Sequence, residues 1–102
     1  MVRWTRRVYI GDKLIDRKDK VVDSINGQKT TFGIYCITFA SNAANLFDII
    51  DANELLSPHY KRSNVCIVGI AKGKKEAVGL VQEMLLEIYR ETGAFQVRTY
   101  FT

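Results

Sequence analysis

"NVCIVGIAKGKKEAVGLVQ", residues 64–82, begins as an apolar run, breaks at Lys72-Gly73-Lys74, and resumes with apolar residues at helical spacing. A short apolar run without alternation suits a strand covered on both faces. Beyond the break, Ala77, Leu80, Val81, Met84, Leu85, Ile88 and Tyr89 recur three and four apart, and Gln82, Glu83, Glu87, Arg90 and Glu91 supply a wet face. That period predicts an amphipathic helix over 74–93. Gly93 suits its C-terminal stop, because glycine enters the left-handed region without steric cost. A buried strand feeding straight into a helix is a unit of layered α/β architecture.

Working outward, three more segments have strand character. "TFGIYCITFA" (31–40) is apolar without alternation, like 64–71. "RWTRRVYI" (3–10) and "AFQVRTYF" (94–101) alternate, as half-exposed strands do. The middle two segments therefore read as central strands and the outer two as flanking ones. Between them, Ser41 or Asn42 can cap a second helix that carries Ala44, Phe47, Ile50 and Leu55 inward and ends before Pro58. Residues 12–27 fit two readings. Leu14, Val21, Val22 and Ile25 share a helical stripe, while Asn26-Gly27 is also a hairpin signal. The helix accounts for more of the apolar positions. The resulting order is β-α-β-α-β-α-β in one α/β domain spanning 1–102, with a four-stranded, at least partly parallel sheet packed by helices.

Bulk properties narrow the function classes. The 102 residues make one domain, and no run approaches the roughly 18 apolar residues of a membrane span. The basic start lacks a signal-peptide apolar run, so the expectation is an unprocessed cytoplasmic chain without a membrane partner. The net charge of +4 is modest but unevenly placed. Residues 1–20 hold seven Lys/Arg against three acids, 61–80 hold five against one, and 41–60 hold three acids and no Lys or Arg. Such segregation favours anionic partners if the fold preserves it. Cys36 and Cys66 lie in apolar runs with no CxxC partner, which predicts core thiols.

The glycine-lysine break is not a phosphate-cradling loop of the G-x-x-x-x-G-K-[ST] type. Gly69 and Gly73 are too close, and Lys75 stands where the magnesium-binding hydroxyl belongs. What survives is three lysines, Lys72, Lys74 and Lys75, at the positive end of a helix dipole, an arrangement that a bound anion would stabilise. In open α/β sheets, ligands settle beyond the carboxyl ends of strands. If 31–40 and 64–71 are parallel neighbours, Ser41, Asn42 and Asn45 of "SNAAN" meet Lys72, Gly73, Lys74 and Lys75 at one rim. That rim is the expected binding site for a phosphorylated or carboxylated small molecule. Ser41 and Asn42 serve equally well as helix caps.

No catalytic signature, metal cluster or cofactor motif accompanies this rim, so the expected protein is a binding module without catalytic residues, metal or cofactor. His59 is the only histidine and has no nearby cysteine or acidic partner in sequence. Asp48, Asp51 and Glu54 read as a solvated acidic helix face. Arg3, Arg7, Tyr9, Arg98 and Tyr100 on the flanking strands suggest two other functions. One is a homo-oligomer joined through edge strands, and the other is single-stranded nucleic-acid binding by stacking and phosphate contact. The modest charge disfavours the latter. Taken together, "VYIG", "YCITFASNAANLFDII", "VGIAKGKKEA" and "YRETGAFQVRTYF" resemble a small bacterial family of clostridial type with no assigned function. The resemblance implies a bacterial cytoplasmic protein of about this length and brings no site residues with it.

Overall fold

The computed structural model describes residues 2–42, 45–61 and 63–101. Among them lie four strands, β1 (Val2–Ile10), β2 (Ile34–Phe39), β3 (Phe47–Asp51) and β4 (Val65–Lys72), in the sheet order β1-β4-β2-β3. A 3-10 turn (Asp12–Arg17) and helix α1 (Lys18–Asn26) follow β1. A second 3-10 turn (Ala52–Leu56) and the one-turn helix α2 (Pro58–Lys61) follow β3. Helices α3 (Lys74–Thr92) and α4 (Val97–Phe101) close the chain. The α/β class and the partly parallel sheet expected from the sequence are present: β1 runs parallel to β4, and β2 is antiparallel to both β4 and β3. No helix among the described residues is long and apolar enough to cross a membrane.

The two apolar strands are the central ones, as expected, and helices cover both of their faces. Against α1 and the 3-10 turns pack Leu14, Ile25, Cys36, Val65, Ile67 and Ile70; against α3 pack Ile37, Val68 and Ala71, with Ala77, Leu80 and Met84 of the helix. Strand β4 serves both layers without alternating because it bulges. Ile37 pairs with Gly69 and Thr38 with Ile67, so Val68 is an extra residue opposite one step of β2. A bulge shifts side-chain parity by one, and Ile67 and Ile70 consequently share a face although they are three positions apart. Burying apolar surface on both sides stabilises by ~25 cal/mol per Å², which places the most stable contacts at this central pair.

Helix α1 and its 3-10 lead-in cover the ambiguous stretch 12–27, so the helical reading holds there. Helix α3 ends where expected: Gly93 is left-handed (φ 74°) and its N–H donates to Tyr89 O. Three expectations are corrected. Residues 47–51 form a strand and 52–56 a 3-10 turn, instead of a long helix; the cap at Ser41 is absent, and Ala44 lies outside the described residues. Strand β2 has a free edge that Phe47–Asp51 satisfies in a hairpin ladder, from Phe39↔Phe47 to Tyr35↔Asp51. Residues 97–101 form a helix instead of a flanking strand: Val97 and Phe101, four apart, share a face on a helical turn as well as on a strand, and Phe101 packs on Tyr9, Phe39 and Phe47. Pro58 starts a helix instead of only ending one. It occupies a first-turn position where its missing N–H costs nothing, and Ser57 Oγ accepts from Tyr60 N–H.

Candidate ligand cleft

The expected rim is divided between the two ends of the sheet. Because β2 and β4 are antiparallel, Ile34 lies beside Lys72, whereas Thr38 lies beside Ile67. Ser41, Asn42 and Asn45 follow the end of β2 and lie near the start of β4. Lys72, Gly73, Lys74 and Lys75 lie roughly 23 Å away, seven strand residues along. One ligand of small size cannot touch both groups.

At the lysine end, internal groups occupy the positions an anion would take. Lys72 N–H donates to Glu76 Oε1 (2.9 Å) and Lys13 N–H to Glu76 Oε2 (3.2 Å). Lys72 Nζ donates to Phe32 O (2.8 Å) and stands 5.2 Å from the centre of the Phe32 ring. Gly73 adopts φ 83° and its N–H donates to Gly33 O (2.7 Å). The side chains of Lys74 and Lys75 stand in solvent. Glu76, in the first turn of α3, thus supplies the carboxylate that the helix dipole and the neighbouring lysines favour.

The other end forms a cleft of about 200 Å³ between the exit of β2 and the entry of β4. Phe39, Ala40 and Ser41 form one wall, His59, Ser63 and Asn64 another, Cys66 lies on β4, and Arg98 enters from α4. Arg98 is fixed by two contacts. Its guanidinium donates to Ala40 O (3.1 Å) and lies 4.8 Å from the centre of the Phe39 ring. Ser41 is one residue of the expected rim that does line this cleft; its N–H and Oγ donate to Asp48 Oδ2 at 3.1 and 3.2 Å. Asn42 and Asn45 line a more open depression next door, of about 330 Å³, which shares Ala40 and Arg98 with the cleft.

Two cations act on the cleft's thiol. Burial pushes the Cys66 pKa up, while Arg3, opposite it on β1, and Arg98 both pull it down. The net direction is upward, so the group is a neutral thiol at neutral pH. Cys36, by contrast, is fully buried and pushed up to about 12 by desolvation, with Asp51 adding to the shift. Cys36 is the inert core thiol expected; Cys66 is half-buried and is not one. Both are free, and they lie in different parts of the ladder. His59, Cys66 and Asp48 share the cleft, but among the described residues no three His, Cys, Asp or Glu side chains are placed to hold a metal ion.

The arginine–tyrosine surface is also divided. Arg7, Tyr9 and Tyr100 meet, although the last is on a helix. Arg7 pairs with Glu87 at 2.9 Å and lies 5.2 Å from the Tyr9 ring centre, and Tyr100 Oη donates to Glu87 at 3.3 Å. Arg7's charge is thereby matched within the chain, and Tyr9 stands on Phe101 edge-on. Arg3 and Arg98 belong to the Cys66 neighbourhood instead. Cys66, Asn64 and His59 carry no sequence signal that marks them as cleft residues; of the cleft's lining, only Arg98 and Ser41 belong to the binding candidates read from the sequence. Comparison of the chain with family models, with curated proteins and with solved structures found no match.

Proposed function

We propose that this protein binds a small anion, a carboxylate or a phosphate ester, in the cleft at the exit of β2. The observation that supports this reading is the placement of Arg98. Its guanidinium is held by Ala40 O and the Phe39 ring at the edge of the cleft. A guanidinium carries five N–H donors in a planar fork that matches carboxylate and phosphate oxygens. Using one of them on a backbone carbonyl pre-orients the others and lowers the entropy cost of capture. Arg3 adds a second positive charge nearby, and the hydroxyl, amide and imidazole groups of Ser41, Asn64 and His59 give the small number of polar contacts that a ligand site uses for orientation.

Size and chemistry limit the ligand. A volume of about 200 Å³ lies below the ~300–1,000 Å³ of drug-sized sites. The cleft therefore suits a compact metabolite with one anionic group. Cys66 enters this reading as a neutral wall atom, because its raised pKa leaves little thiolate for attack at neutral pH. The reading is accordingly one of binding without covalent chemistry.

Thermal shift tests it. Inorganic phosphate, short dicarboxylates, sugar phosphates and nucleotides are screened against wild type, Arg98→Gln, Arg3→Gln and the distant control Lys74→Ala. The expected result is stabilisation by at least one small anion that disappears in Arg98→Gln, weakens in Arg3→Gln and persists in Lys74→Ala. If no anion raises the melting temperature, or if Arg98→Gln responds like wild type, the cleft is not an anion site.

A further inference from the structure

The cleft at the exit of β2 holds a negative charge as well as positive ones. Asp48 lies in its lining with Arg98, Thr38 and His59. The two opposite charges of Arg98 and Asp48 are anchored, and at neighbouring residues. Arg98 donates to Ala40 O (3.1 Å), while Asp48 Oδ2 accepts from Ser41 N–H and Oγ at 3.1 and 3.2 Å. Yet among the described residues Arg98 and Asp48 form no ion pair with each other. Side chains held in this way do not swing together, so the space between them stays open to a ligand. Asp48 Oδ1 accepts no hydrogen bond among the described residues. A second acceptor stands beside it. Thr38 is the ladder partner of Asp48 on β2, which puts both side chains on one face. Thr38 is only 5% exposed and lines the cleft; its hydroxyl donates to Phe39 O (3.3 Å) and keeps its lone pairs for a donor.

We infer that the cleft takes a small amino acid, with the ligand's carboxylate on Arg98 and its ammonium on Asp48 and Thr38. This deepens the anion reading of the cleft and rests on it. A bare anion drawn to Arg98 meets the like charge of Asp48 in the same small space, which weakens its capture. A ligand with both charges on one short chain turns that repulsion into attraction. Its carboxylate matches the planar guanidinium fork, and its ammonium carries three donors for the oxygens of Asp48 and Thr38. Taking an ammonium out of water is costly unless it is paired and hydrogen-bonded, and here each charge of the ligand finds its opposite. The volume of about 200 Å³ suits a short chain.

The test is an NMR chemical-shift titration of the full chain with two ligand series of matched length. Glycine, β-alanine and γ-aminobutyrate are compared with acetate, propanoate and butanoate, against wild type, Asp48→Asn, Arg98→Gln and the distant control Lys74→Ala. Asparagine keeps an oxygen for Ser41, and circular dichroism melts establish that each variant is folded. In wild type, at least one amino acid is expected to bind about tenfold or more tightly than the acid of its own length, a difference of ~1.4 kcal/mol. Asp48→Asn should erase most of that preference, by weakening the amino acid and strengthening the plain acid. Arg98→Gln should weaken both series, and Lys74→Ala should change neither. Plain acids that bind as tightly as the amino acids, or a preference that survives Asp48→Asn, overturn the inference; the anion reading then still stands if Arg98→Gln weakens the acids. If neither series shifts any resonance, the inference falls, and stabilisation by phosphate in the thermal-shift screen decides separately on the anion cleft.

Discussion

Arg98 acts on Cys66 through space, and this coupling can be measured without knowing any ligand. Both Arg98 and Arg3 favour the thiolate against the burial that disfavours it. Removing either guanidinium raises the Cys66 pKa further and leaves less thiolate at pH 8. Alkylation by iodoacetamide reports Cys66 almost alone, because Cys36 is fully buried. The expected result is alkylation about two- to fivefold slower in Arg98→Gln and Arg3→Gln than in wild type, since the thiolate is the reacting form. Faster or unchanged alkylation would place the arginines away from the thiol. Cys36 contributes at the alkaline limit instead. Its folded pKa of about 12 lies above the unfolded 9.0, so below pH 9 both states keep the proton and nothing is lost. Between pH 9 and 12 the unfolded thiol ionises while the folded one does not, which favours unfolding by up to ~1.4 kcal/mol per pH unit. Denaturant titrations of wild type and Cys36→Ala across this range should therefore show a shallower alkaline decline in the variant, whatever the cavity costs at pH 7. Nothing in the composition distinguishes the two cysteines; their burial and the placement of Arg3 and Arg98 around one of them do.

At the scale of elements, sequence periodicity was informative where one pattern had no rival. Helix α3 repeats its apolar residues over five turns, and no strand pattern fits them. Residues 97–101 are too short for that discrimination, since Val97 and Phe101 satisfy both a two-residue and a four-residue repeat; the choice is made by the aromatic surface of Tyr9, Phe39 and Phe47, on which Phe101 settles. Phe47–Asp51 does not show as a strand in its own pattern because its partner is remote in sequence: the free edge of β2. The junction of the first 3-10 turn with α3 was likewise invisible, because it depends on one carboxylate. Glu76 accepts both Lys13 N–H and Lys72 N–H, and a Cβ on Gly11 would land on that carboxylate. Glu76→Ala should cost about 1–3 kcal/mol by leaving two backbone donors without their acceptor. Gly11→Ala should cost a similar amount, by displacing the same acceptor. Urea melts of both variants check this. If Gly11→Ala is neutral, the carboxylate is not held as tightly as its two hydrogen bonds imply.

For the molecule as a whole, the α/β class and the identity of the central strands were legible because apolar runs without alternation must be covered on both faces. Strand direction was not legible. It is decided by how the chain returns after β2, and a hairpin into β3 reverses that return where a helix would have preserved it. The reversal separates Ser41 and Arg98 from Glu76 and the lysines by most of the length of β4. Sites this far apart, with no shared partner, should behave independently, with energies additive within ~0.5 kcal/mol. Arg98→Gln loses a hydrogen bond to Ala40 O and a ring contact, which should cost ~1–2 kcal/mol. The double variant Glu76→Ala/Arg98→Gln should therefore lose the sum of the two single losses in urea unfolding. A coupling above ~1 kcal/mol would mean that the two ends of the sheet share a strained or cooperative element, and β4, whose bulge at Val68 lies between them, would be the first place to look.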